Sequence, residues 1–169
     1  MDILLVVLRL LHILAAFLWI GLSVTLVLFV APAAAKAGAS GLRFMKSLLT
    51  NTSLSTAIAA ASGLTVLAGI LLYLVGNSAS HFSTAGNIVL GIGAVLGILA
   101  SLHGGMATGR ASSSMGEALV QYVPDGDQPI PPEGLAILGE RAAKLAVHTR
   151  ISLVLMIVAL VCMGSARYL

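Results

Sequence analysis

The sequence predicts an all-α integral membrane protein, a bundle of four transmembrane helices in one domain spanning residues 1–169. Three observations carry that prediction. Apolar residues make up 59% of the chain and charged residues only 9%, against roughly a quarter charged in a soluble domain. The apolar residues gather in four stretches, each long enough to cross about 30 Å of hydrocarbon at about 1.5 Å per residue. No stretch alternates with period two, and an open sheet cannot satisfy its backbone in lipid, so the spans are helices.

Span one covers Ile3–Val30. It ends in Val30-Ala31-Pro32-Ala33-Ala34-Ala35, small residues of the kind a signal peptidase cuts after. The apolar run is far longer than the roughly 7–15 residues of a signal core, and Asp2 stands where a basic cluster would, so it reads as a retained helix. Beyond it, Gly41–Leu49 fits either a short interfacial helix with a basic face or an ordinary basic loop. Span two is Leu54–Val75. The polar segment Gly76–Thr84, which contains His81 as a solvated residue, closes a hairpin with span three, Ala85–Thr108. The Ser112-Ser113-Ser114 run and the Pro124-Asp125-Gly126-Asp127 turn read as a long surface loop between spans three and four. Pro131 and Pro132 followed by Glu133 mark a helix start. The fourth helix then runs from about residue 132 to 168, unbroken through Arg141 and Lys144, with Leu145–Tyr168 in the membrane.

Orientation follows from the basic residues. Lys36, Arg43, Lys46, Arg110, Arg141, Lys144 and Arg150 flank one side of the spans, and only Arg9 and Arg167 flank the other. The positive-inside rule puts the seven in the cytoplasm, with both termini outside and the long loop inside. A multi-pass protein of a bacterial inner membrane is expected. The net charge of +3 is then a feature of membrane edges facing anionic headgroups, not a nucleic-acid surface. Cys162, the single cysteine, excludes an internal disulfide and a Cys-based zinc site.

Small residues recur on one face of two spans: Gly86, Gly93, Gly97 and Gly104 on span three, and Ser62, Gly69 and Gly76 on span two. Such stripes let helices approach closely, and they also leave room for a flat cofactor.

Ionisable residues at membrane depth are functional candidates by default. His12, His103 and His148 qualify, and no Asp or Glu lies deep in a span, which argues against a carboxylate relay or a hard-cation site. His103 lies seven residues before Arg110, and His148 four after Lys144, so both sit about 10 Å or less inside the inner boundary. Two histidines at matched depth on neighbouring helices suit the two faces of one haem iron, with Arg110, Lys144 and Arg141 near the propionates. His12 lies toward the outer side, one turn from Arg9, at a depth differing by roughly 15 Å. It would belong to a second site, with Met156, Met163 or an open position opposite. His12, Ala15, Ala16 and Trp19 share one face. For each histidine the alternative is a structural interhelical hydrogen bond. His103 and Met106 together offer a soft copper pair.

The segment Leu8-Arg9-Leu10-Leu11-His12-Ile13-Leu14-Ala15-Ala16-Phe17-Leu18-Trp19-Ile20-Gly21 resembles the first helix of the copper-resistance D-type membrane domain, with Trp seven residues after a helical His and Gly shortly after. It is also similar to the J-type membrane protoporphyrinogen oxidases. The ending Met163-Gly164-Ser165-Ala166-Arg167-Tyr168-Leu169 resembles small membrane proteins grouped with them. The resemblance implies haem b bound through His12.

The sequence therefore predicts a haem-b-binding membrane protein with one or two haems. It would be redox-active, transferring electrons or oxidising a membrane-soluble partner of the quinone or porphyrin class. The candidate ligands are His12, His103 and His148, with Arg9, Arg110 and Lys144 as cofactor contacts. The alternative is a cofactor-free accessory or copper-handling protein whose histidines tie helices together. Whether it is an enzyme, a homo-oligomer or a subunit of a larger complex is left open.

Overall fold

The computed structural model describes residues 3–75, 83–126 and 128–169. Gly76, His81 and Asp127 lie outside them, as do the expectations that rest on those residues. Among the described residues the chain is helical, without strands.

The first rod runs Ile3–Lys36, six residues past the expected end of span one. It consists of α1 (Ile3–Thr25), a π-turn (Leu26–Val30) and α2 (Ala31–Lys36). Pro32 causes the irregularity. It has no N–H, and its ring crowds the carbonyl four residues back, so the helix widens just before it. There the Ala31 N–H bonds the Leu26 carbonyl, five residues back. Gly38, with φ at +59°, takes a conformation that side chains disfavour and reverses the chain. Helix α3 (Gly38–Thr50) folds back closely on α2, and a Cβ at Gly41 would overlap the Ala34 carbonyl.

The second rod is α4 (Leu54–Val75). The third joins α5 (Ala85–His103), a π-turn (Gly104–Thr108) and α6 (Gly109–Tyr122). Thr84 caps its start by accepting the Asn87 N–H at 3.2 Å. The fourth is α7 (Pro132–Ser165), with Pro132 in its first turn as the Pro131-Pro132-Glu133 run predicts, closed by a 3₁₀ turn (Ala166–Tyr168).

The long loop expected after Thr108 is instead helix as far as Tyr122. Three serines cost an α-helix only a few tenths of a kcal/mol each. Against that, Ala111, Met115, Ala118 and Leu119 fall on one face and are buried. Met115, Ala118 and Leu119 form a core with Val123 and Leu138, against which Leu42, Met45 and Leu49 of α3 also pack. Of the two readings of Gly41–Leu49, the structure has the helix, with its apolar face on this core. Thus α3, α6 and the start of α7 make a small three-helix cap at one end of the rods. The short connection after Tyr122 is pinned from α3. Lys46 Nζ donates to the Val123 carbonyl and to the Asp125 carboxylate, both at 2.8 Å, and Arg43 donates to the Gln128 carbonyl at 2.8 Å.

Beyond the cap the rods pair two by two. α1 lies along α4, α5 along α7, and thinner contacts join the pairs. One cluster takes a residue or two from every rod: Trp19, Ala61, Ala100, Leu153 and Met156. The exterior is apolar, with Phe17 77% exposed and Leu14, Leu99, Leu160 and Val154 also outward. In water such surface costs about 25 cal/mol per Å², so it suits hydrocarbon. Among the described residues, four helices are long and apolar enough to cross a membrane.

Candidate functional site

His12 sits on the buried face of α1 with Leu8, Ala15 and Trp19. Its Nδ1–H donates to the Thr65 carbonyl of α4 at 2.8 Å. The ring lies flat enough on α4 that a Cβ at Gly69 would come within 2.9 Å of its Cε1. Gly69 is therefore the seat of an imidazole. The tautomer that makes this bond leaves the lone pair on Nε2, which suits a metal ligand and a plain interhelical tie equally. Arg9, one turn away, is exposed. Of the two methionines considered as its opposite ligand, Met156 packs with Trp19 in the core, and Met163 packs on Gly93 and Gly97.

The glycine stripe of span three is occupied by α7 and the turn after it. Cys162 and Met163 press on Gly93, and the Ala166 carbonyl presses on Gly86. Nearby, Ser62 and Ser101 hydrogen-bond across α4 and α5 at 2.7 Å. Close packing, not a flat ligand, fills this stripe.

His103 and His148 do converge. Their ring centroids are 5.5 Å apart with the planes tilted by 47°. The His103 Nδ1 pairs with Ser152 Oγ at 2.9 Å, and Thr108 Oγ1 pairs with the same oxygen at 3.0 Å. Residues five apart on an α-helix point roughly 140° away from each other. The π-turn between them, closed by Gly109 N–H on the Gly104 carbonyl, brings both to one oxygen. His148 Nδ1 is different. It is buried and has no hydrogen-bond partner among the described residues, a condition that costs about 1–3 kcal/mol.

From His148 a cleft of about 510 Å³ opens between the third rod and α7, lined by Met106, Ala107, Arg110, Ala111, Ser114, Arg141 and Lys144. Three cations and no carboxylate face it. Arg141 donates across its mouth to Ser114 Oγ at 2.6 Å. Met106 stands on this wall beside His148, while His103 is not part of the lining.

Comparison with protein-family models, curated proteins and solved structures finds no match. Function must be read from geometry.

The structure brings His103 against His148, and His148 into one cleft with Arg110, Arg141 and Lys144, and leaves His12 and Arg9 elsewhere. Among the described residues, no three His, Cys, Asp or Glu side chains are grouped to hold a metal ion. Sequence reasoning passed over Ser152, Thr108 and Thr65. Ser152 was findable, since it lies four residues after His148 and shares its face. Thr108 was not, because its alignment depends on the π-turn.

Proposed function

We propose that this chain is a haem-b-binding membrane protein of the redox class, with its iron held at His103 and His148. The observation that carries the reading is the pair itself: two imidazoles 5.5 Å apart, one with a buried ring nitrogen lacking any partner. Two protein ligands are too few for a structural zinc-type site, which takes about four. They suffice for haem, whose macrocycle supplies the other nitrogens. Haem held between them would require the two rings to part from this 5.5 Å spacing. Arg110 and Lys144, with Arg141 behind them, would meet the propionates in the cleft. Bound haem would supply one-electron chemistry, and the residues around it would hold, orient and partly shield it.

This reading keeps the expected orientation, with the cap in the cytoplasm of a bacterial inner membrane and both termini outside. An electron partner or a substrate of the quinone or porphyrin class would approach from the lipid.

For His12 a second reading is favoured by its bond to Thr65 and its seat on Gly69. There it acts as a tie between α1 and α4, and the protein carries one haem. The visible spectrum of detergent-purified protein tests both. A Soret band lost or converted to high spin in His103→Ala or His148→Ala, and kept in His12→Ala, is expected. A colourless wild-type preparation would remove the haem reading and leave the cofactor-free or copper-handling alternative.

A further inference from the structure

A second hollow lies beside the haem cleft. About 980 Å³ of open space runs along the outer face of the third rod, against the end of α3 and the start of α4. Its polar lining includes Thr50, Ser55, Arg110, Ser112, Ser113 and Glu117. The order of these groups along the rod is specific. The apolar helix ends at the π-turn, and Arg110 is the first charge beyond it. The serines follow, and Glu117 comes seven residues on, about 10 Å farther from the apolar part by helical rise. Among the described residues neither Arg110 nor Glu117 has a hydrogen-bond or ion-pair partner. An unpaired cation at the boundary, a belt of hydroxyls and an unpaired anion beyond it mirror the charge order of one kind of headgroup.

We propose that this groove holds a zwitterionic aminophospholipid. Its phosphate meets Arg110 and the serine hydroxyls, its ammonium meets Glu117, and its chains descend past Leu49 and Gly105 into the bilayer. A purely anionic lipid would satisfy Arg110 but set its negative charge against Glu117. The inference needs the cap to lie outside the hydrocarbon. It rests on neither the haem reading nor the direction of insertion. Arg110 lines both hollows, so the test is placed on Glu117.

The intact protein is reconstituted into nanodiscs of phosphatidylethanolamine and phosphatidylglycerol in equal parts, and native mass spectrometry counts the lipids it retains. An exposed carboxylate–ammonium pair predicts a preference of about two- to fivefold for phosphatidylethanolamine. Glu117→Gln should abolish that preference without altering the visible spectrum. Glu140→Gln, an exposed carboxylate outside the groove, should keep it. Wild-type protein that retains both lipids equally or prefers phosphatidylglycerol overturns the proposal. So does a Glu117→Gln protein that keeps the wild-type preference.

Discussion

Ser152 holds two partners with one oxygen, so its removal strands His103 Nδ1 and Thr108 Oγ1 together. Ser152→Ala should destabilise the protein by about 1–3 kcal/mol. It should also perturb the spectrum of any haem on His103, whereas Ser152→Thr, which keeps a hydroxyl, should restore both. Thermal melts in detergent beside visible spectra make the check, and an unchanged melt would show the network to be idle. His12 offers a cleaner comparison. His12→Ala removes an interhelical bond worth about 0.6–2 kcal/mol. Gly69→Val should remove the same bond with the histidine still present, by crowding the ring off the Thr65 carbonyl. Equal losses in the two variants would identify the tie as what both disrupt. At this scale the sequence was half legible. Counting residues from Arg110 and Lys144 put His103 and His148 at one depth, and they do meet. The glycine stripes left close packing and a flat ligand as two readings, and the space they leave is taken by His12 on α4 and by α7 on α5. A small residue announces a close approach without saying by what.

Among the elements, the cap is where expectation and structure part. Its core has Leu119 and Leu138 almost wholly buried, and truncating either to Ala should cost about 2–5 kcal/mol. The loss should show as early proteolysis of α3 and α6, with the spans still inserted. The segment misled because its polar content is high and serines favour loops. The amphipathic spacing beneath them was present in the sequence and outweighed them. The four spans were legible because hydropathy over about 20 residues hardly depends on tertiary context. The cap's connection also carries a pH dependence. The hydrogen bond from Lys46, followed by its positive charge, holds the Asp125 carboxyl below its ordinary value of 3.8. A depressed carboxylate contributes its stabilisation above the unfolded value and loses it as pH falls through the lower folded one. Protection of the amides in Val123–Gly126, corrected for intrinsic exchange, should therefore hold at neutral pH and weaken only below about pH 4. Asp125→Asn should flatten that acid limb.

For the whole molecule, the prediction is one of direction. With Cys162 replaced by Ser, single cysteines placed near Lys46 and Asp125 should label only from the cytoplasmic side, and one at Leu169 only from outside. A cytoplasmic Leu169 would reverse the assignment and with it the depth argument for the histidines, though not their contact. That the described residues carry four helices long and apolar enough to cross a membrane was readable from hydropathy alone. The pairing of rods, α1 with α4 and α5 with α7, was not, because a hydropathy profile carries no information about neighbours. Among the described residues two π-turns fall at corresponding places, Leu26–Val30 and Gly104–Thr108, each at the cap end of its apolar stretch. Each packs one residue more into a turn than an α-helix does. Two rods can therefore lose a residue there by tightening to ordinary winding, with no break in the chain. The helices on either side would keep their phase, because the wider turn already absorbs the extra residue. Such a loss would fall on what the π-turn alone aligns, Thr108 beside His103 on Ser152, and would spare the packing on both sides of it.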